Sequence, residues 1–135
     1  MRYLLIALLF TACSEGIFNP DDLVPDFNGI DEVISYVGAQ VYTGDNKCIQ
    51  SANLAQICCD KIGYDTLKAD LWRDGCDIGH QICIAWTTAG KWHLFSEGQH
   101  ALILSSDWRT PVNEYFDNVY NTMDVFNEHN QGVIQ

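Results

Sequence analysis

The chain has 135 residues, with 18 acidic side chains against seven lysines and arginines, which gives a formal charge of −11 at pH 7. Nucleic-acid binding depends on clustered Lys and Arg that neutralise phosphates, so this charge excludes a nucleic-acid partner. An acidic surface also repels anionic lipid headgroups, which excludes membrane binding through a basic patch. The length is that of one domain with a sizeable core.

The N-terminal sequence MRYLLIALLFTA has one positive charge, a short apolar run and a pair of small residues. The apolar run is too short to span a bilayer and predicts a signal peptide over residues 1–12. Cys13 follows the small pair, an arrangement that resembles the lipobox of bacterial lipoproteins, so we expect a lipid on Cys13. Ordinary cleavage, which would leave Cys13 as a plain thiol, is the alternative.

Residues 13–28 are acidic and contain two prolines. This composition predicts a tether between the lipid anchor and a single domain over residues 29–135. The expected location is therefore the periplasmic or extracellular face of a cell envelope, in a bacterial or phage-encoded protein, with the lipid as its contact to the membrane.

Two helices are predicted next. Residues Ile30 to Val41 carry apolar side chains at close to helical spacing, with acidic residues near the start. A second helix is predicted from about Asn46 to Ile62, with Asp45 as its N-cap and Gly63 as its C-terminal stop. Cys48 lies in the first turn of that helix, on a face with two alanines that allow close packing against a sheet.

Beyond Gly63 the apolar residues recur at every second position, which indicates strands. Strands are predicted at Thr66 to Trp72, His80 to Thr87, Lys91 to Phe95 and Ala101 to Ser105, with a turn at Ala89-Gly90. A last amphipathic helix is predicted from Pro111 to about His129. The order helix, helix, antiparallel strands, helix is that of an α+β fold.

Cys48 and His80 are the residues with the clearest chemical potential. A thiol in the first turn of a helix is next to unpaired backbone N–H groups and the positive end of the helix dipole, which favour thiolate, and Lys47 adds a positive charge. His80 opens a predicted strand, and a Cys–His pair is the simplest way to activate a sulfur nucleophile. For each residue taken alone, a structural role is the alternative.

Two segments resemble the transglutaminase-like superfamily, a branch of papain-like cysteine enzymes that includes bacterial transglutaminase-like cysteine peptidases. They are GDNKCIQSANLAQICCDKIGY and GHQICIAWTTAGKWHLF, and the resemblance covers about residues 40 to 97. It implies a papain-like or transglutaminase-like α+β core, in which a central helix packs on an antiparallel β-sheet. It further implies that Cys48 is the nucleophile and His80 the general base.

The third catalytic residue is where the chain departs from that family. The family usually has Asp at the position of Ser96, and Glu97 follows it here. A two-residue Ala89-Gly90 turn would direct Glu97 to the His80 face, whereas a three-residue turn would direct Ser96 there. Only Glu97 can stabilise an imidazolium by charge, while Ser96 can orient the ring, and a serine is also what an inactive descendant would carry.

The oxyanion of an acyl-transfer reaction needs N–H donors. The backbone N–H of Cys48 is one natural donor, and among the upstream side chains we favour Gln40 over Tyr42 as the second. No organic cofactor is implied. No metal is expected either, because the sequence contains no CxxC pair and the adjacent Cys58 and Cys59 cannot easily face one ion.

Five cysteines remain beyond Cys13, so at least one is unpaired in the monomer, and Cys48 is the candidate. A Cys76–Cys83 or a Cys58–Cys76 disulfide is possible, and the sequence does not decide between them.

The expected function is that of a thiol peptidase or amidase acting on a peptide or protein. Two alternatives are an inactive binding domain and a disulfide-linked structural lipoprotein in which Cys48 is bridged. The sequence does not decide whether water or an amine resolves the thioester, and it does not determine the oligomeric state.

Overall fold

A computed structural model of the protein describes residues 24–75, 79–127 and 132–134. The predicted signal peptide, Cys13, Cys76 and most of the predicted tether lie outside the described residues. Over these three ranges, no helix combines the length and hydropathy that a bilayer crossing requires.

The fold consists of three helices and one sheet in this part of the chain. In chain order the elements are α1 (Ile30–Gly38), α2 (Lys47–Lys61), β1 (Asp65–Trp72), β2 (His80–Trp86), β3 (Lys91–Ser96), β4 (Gln99–Leu104), α3 (Arg109–Tyr115), β5 (Thr122–Asn127) and β6 (Gly132–Ile134). The strands form a six-stranded antiparallel sheet in the order β4-β3-β2-β1-β5-β6. The α+β prediction is confirmed.

The sheet is covered on both faces, because successive side chains of a strand point to opposite sides. On one face, Cys83, Ala85 and Phe95 pack with residues of α1 and α2. On the other face, the core consists of Leu67, Ala69, Leu71, Ile82, Ile84, Leu94, Ile103, Trp108, Val112 and Val125, the last of these from β5. Burial on both faces explains why β2 is buried without interruption from Gln81 to Ala85.

Helix α2 runs within one residue of its predicted bounds. Its N-cap position is Asn46, which makes no side-chain capping bond, so the prediction of Asp45 as N-cap is wrong. Its end is as predicted, because Gly63 has a φ of 84° and turns the chain out of the helix. The N–H of Gly63 donates to the carbonyl oxygen of Asp60, and that of Tyr64 to the carbonyl oxygen of Cys59.

The predicted helix from Pro111 to about His129 is wrong. Helix α3 ends at Tyr115, and Asp117 and Asn118 then adopt left-handed conformations with φ of 55° and 56°. Asp and Asn tolerate this region better than most residues, so they reverse the chain at low cost. The segment beyond becomes β5, which pairs with β1 and covers an edge that would otherwise expose unpaired backbone groups.

Candidate functional site

A cavity of about 560 Å³ lies where α2 begins, β1 ends and β2 begins. Its walls are formed by Asp45, Asn46, Cys48, Ile49, Asp70, Trp72, Gly79, His80 and Gln81. The fold therefore brings the two residues with the clearest chemical potential, Cys48 and His80, to one cavity from positions 32 residues apart in the sequence.

Cys48 is the second residue of α2 and is half-buried. It is a free thiol, whereas Cys58, Cys59 and Cys83 are fully buried. Burial raises the pKa of the Cys59 thiol, which keeps that residue protonated and unreactive. Cys48 is thus the accessible thiol among the four. No direct hydrogen bond joins its sulfur to the His80 ring.

His80 is the first residue of β2, and its side chain is 12% exposed. Its Nε2 lies 2.7 Å from the Ser96 hydroxyl oxygen, and its Nδ1 lies 4.0 Å from a carboxylate oxygen of Glu97. Burial lowers the pKa of His80, and the Glu97 carboxylate opposes that effect in part. The ring is therefore neutral at pH 7 and able to accept a proton.

The register of β2 and β3 decides between the two turn alternatives. Cys83 is opposite Phe95, and Ile84 is opposite Leu94. This pairing corresponds to a three-residue turn over 88–90, so the two-residue Ala89-Gly90 turn is wrong and Ser96 is the residue directed to His80. Glu97 nevertheless comes near the ring, because it lies in the turn between β3 and β4 with a φ of 46°.

Two aromatic side chains from the segment after α3 contact the His80 ring. Phe116 meets it edge to face, with centroids 5.2 Å apart, and Tyr120 stacks on it at 6.1 Å. Burial raises the pKa of Tyr120, and the nearby Cys48 and Glu97 raise it further. The sequence does not predict this contact, because its apolar spacing indicates one long helix that includes both aromatic residues.

Gln40 is not part of the cavity wall. It is buried, and its Nε2 donates to the Tyr36 carbonyl oxygen at 2.8 Å. The Tyr42 hydroxyl donates to the Val37 carbonyl oxygen at 2.7 Å. The last carbonyls of a helix have no intrahelical partner, so both upstream candidates are used to close the end of α1. The structure does not bring Gln40 to Cys48.

Asp70 and Gln81 are cavity residues that the sequence analysis did not single out. They are directly opposite each other in the β1–β2 pair, and the Gln81 Nε2 donates to an Asp70 carboxylate oxygen at 2.8 Å. Next to them, Trp72 packs on Gly79, where an added Cβ would lie 2.7 Å from the indole ring. Asp70 and Gln81 can be recognised as a pair only from the register of β1 and β2, which the sequence alone does not fix.

The other described histidines lie outside the cavity wall. The His93 Nδ1 and His100 Nε2 are 2.9 Å apart and share a hydrogen bond. Within the described residues, no group of three or more His, Cys, Asp or Glu side chains is arranged to hold a metal ion.

Comparisons with known proteins give no relative for this chain. No family model matches it, and neither a curated protein nor a solved structure matches it. The interpretation of the site therefore depends on its own residues and geometry.

Proposed function

We propose that the chain is a thiol-dependent acyl-transfer enzyme of transglutaminase-like type, a peptidase or amidase with a papain-like core. Cys48 is the nucleophile and His80 is the general base. The observation that carries the proposal is that an accessible thiol in the first turn of α2 and an imidazole at the start of β2 line one cavity, with the imidazole held by Ser96.

The proposed reaction begins with proton transfer from the Cys48 thiol to the neutral His80 ring. A tautomer in which Nε2–H donates to the Ser96 hydroxyl leaves the lone pair of Nδ1 free to accept that proton. The thiolate attacks an amide carbonyl carbon and forms a tetrahedral oxyanion, to which the backbone N–H of Cys48 donates. The C–N bond then breaks, the amine leaves with the proton from His80, and water hydrolyses the thioester.

Glu97 compensates for the serine at position 96. The imidazolium that forms during the reaction needs a negative group nearby, and Ser96 carries none. The Glu97 carboxylate is 4.0 Å from Nδ1. We assign orientation of the ring to Ser96 and charge stabilisation to Glu97, which divides between two residues the role that the family gives to one aspartate.

The predicted lipid on Cys13 would place this enzyme at the cell envelope, where its substrate is a peptide or protein. A second candidate function is that of an inactive binding or structural lipoprotein. The serine at position 96 and the absence of a thiol–imidazole hydrogen bond favour that candidate. The reactivity of Cys48 distinguishes the two.

The test is alkylation of the full chain with iodoacetamide across pH, with each cysteine quantified by mass spectrometry. We expect Cys48 to react at pH 6 at least about tenfold faster than free cysteine, whose pKa is about 8.5. The buried Cys59 is the internal control and should stay unmodified in the folded chain. His80→Asn should return the Cys48 profile to that of an ordinary thiol.

Hydrolysis of fluorogenic peptide amides gives a second readout. His80→Asn should lower the rate by about 100-fold or more. If wild type and His80→Asn give the same alkylation profile and neither hydrolyses an amide, the chain is the inactive lipoprotein instead.

A further inference from the structure

The side of the cavity formed by β1 and the start of β2 carries polar groups that the proposed reaction does not use. Gln81 is 8% exposed, and its Nε2 donates to Asp70. Because an amide can only donate to a carboxylate through nitrogen, the orientation of the Gln81 amide is fixed. Its Oε1 is then a buried acceptor that no donor of the described residues meets. Buried acceptors are normally paired, so this oxygen fits a ligand that brings an N–H group.

The cavity as a whole favours a positive ligand. Two of its residues, Asp45 and Asp70, are acidic, and the wall contains no Lys or Arg among the described residues. Lys47 and Arg73 have exposed side chains outside the wall, and the buried Lys68 of β1 also lies outside it and donates to the Asn53 side chain. The chain as a whole has a charge of −11. A cation is therefore attracted to this cavity and an anion is repelled.

Trp72 supplies an apolar partner for such a cation. Its indole borders the cavity and packs on Gly79, the residue that precedes His80. An indole face attracts an ammonium group more strongly than the other aromatic rings do. Gly79 is needed for this arrangement, because a side chain at that position would collide with the ring.

We propose that Gln81, Asp70 and Trp72 form a subsite for a primary ammonium group of the peptide substrate. One N–H of the ammonium donates to the Gln81 Oε1 and another to the Asp70 carboxylate, while the Trp72 ring covers its apolar side. The assignment as a substrate subsite rests on the proposed function, because it is Cys48, in the same cavity, that gives the bound peptide a reaction. The ammonium belongs either to a lysine-like side chain or to a free peptide N-terminus.

The test measures binding without catalysis, by calorimetry on the full-length Cys48→Ala chain. The probes are acetyl-Ala-Lys-Ala-Ala-amide, its Nε-acetyl-lysine counterpart, and tetra-alanine amide with a free or an acetylated N-terminus. We expect at least one ammonium peptide to bind about tenfold tighter than its acetylated partner, a difference of about 1.4 kcal/mol. A preference in the lysine pair identifies a side-chain ammonium, and a preference in the tetra-alanine pair identifies the N-terminus.

Two variants locate the effect. Asp70→Asn preserves shape and hydrogen bonding to Gln81 but removes the charge, and it should reduce the preference to less than about threefold. Asp65→Asn makes the same charge change at an exposed position of β1 outside the cavity wall, and it should keep the full preference.

Equal binding of ammonium and acetylated peptides would overturn the subsite, and so would a full preference in Asp70→Asn or no binding at millimolar peptide. The alkylation of Cys48 is measured without any peptide. Failure of the subsite is therefore distinguishable from failure of the proposed function.

Discussion

Ser96 and Glu97 occupy adjacent positions and reach different nitrogens of one imidazole. The Ser96 hydroxyl is 2.7 Å from Nε2, and the Glu97 carboxylate is 4.0 Å from Nδ1. A hydroxyl can fix the plane and tautomer of the ring but adds no charge, whereas a carboxylate near the ring favours its protonated form. The pKa of His80 reflects both its burial, which lowers it, and Glu97, which raises it.

Glu97→Gln tests the electrostatic role of this residue. Removing the carboxylate takes away the group that raises the pKa of His80, so the pKa should fall further and the acid limb of the pH–rate profile should move to lower pH. Hydrolysis at pH 7 should slow by up to about fivefold, because a half-exposed charge pair contributes about 0.2–1 kcal/mol. The measurement is the pH dependence of peptide hydrolysis.

Glu114→Gln is the matched control, since Glu114 is an exposed residue of α3. It should leave the profile of hydrolysis against pH unchanged. An acid limb that stays in place in Glu97→Gln would show that Glu97 does not act on His80.

At the residue scale, the helix position of Cys48 and the strand position of His80 follow from local patterns, whereas the choice between Ser96 and Glu97 stayed open because it depends on the register of β2 and β3. The sequence did not identify Asp70 and Gln81. Their pairing depends on which residues of β1 and β2 are opposite each other, and that register results from the packing of both strands in the sheet. The prediction that Gln40 donates to the oxyanion is not supported, because its amide donates to a carbonyl oxygen at the end of α1 and is therefore not available to the site.

The turn between β3 and β4 is attached to the helix that carries Cys48. Glu97 and Gly98 have positive φ, of 46° and 82°, and form a two-residue turn that Ser96 and Gln99 close. The Gly98 N–H donates to the hydroxyl of Ser51, a fully buried residue of α2, at 2.7 Å. This bond fixes the turn with Glu97 to the helix three residues after Cys48.

Ser51→Ala should destabilise the protein by about 1 kcal/mol, because it removes the acceptor of the half-buried Gly98 N–H. Urea unfolding followed by circular dichroism measures this change. Ser35→Ala is the matched control, since Ser35 is exposed on α1, and it should change the free energy of unfolding by less than about 0.5 kcal/mol. Equal stability of both variants would mean that the bond to Gly98 does not hold the turn.

At the element scale, the prediction held at the end of α2, where the positive φ of Gly63 sets the boundary. The C-terminal prediction failed because the apolar spacing of Val119, Met123 and Phe126 fits a helix as well as a turn followed by a strand. The edge of β1 decides between the two, since β5 satisfies its backbone groups along five paired residues. No local pattern in the sequence shows that the edge of β1 needs a partner strand.

At the scale of the whole molecule, the sheet separates two environments for histidine. His80 is covered by Phe116 and Tyr120 from the segment that follows α3. His93 and His100 share a hydrogen bond on β3 and β4. Both environments bury the imidazole in part, and this burial lowers the pKa of each ring.

The His93–His100 pair is surrounded by groups that act in opposite directions. Burial lowers the pKa of both rings, and His93 lowers that of His100 further, to about 4. Asp31, on α1, raises the pKa of both without reversing the effect. Tyr64 packs on His93 and Phe95 on His100, and neither ring brings a charge at neutral pH.

These shifts predict how stability depends on pH. An unfolded histidine binds a proton below its ordinary pKa of 6.5, whereas folded His100 does so only near pH 4. The unfolded chain therefore binds more protons between these values, and the free energy of unfolding falls as the pH falls from about 6.5 to about 4. The lowered pKa values of Glu32 and Asp107 provide stability that is lost as the pH falls below their ordinary values of 4.5 and 3.8, so measurements at pH 5.0 and above report mainly on the histidines.

The measurement is the thermal unfolding midpoint at pH 7.5, 6.5, 5.5 and 5.0. For the wild type we expect a drop of several degrees over this range, most of it below pH 6.5. His100→Gln keeps a hydrogen-bonding side chain beside His93 but does not titrate, so its midpoint should fall less steeply. If both proteins lose stability equally between pH 6.5 and 5.0, the buried pair does not set the acid limit of the fold, and His80, whose pKa is also lowered by burial, is the histidine to replace next.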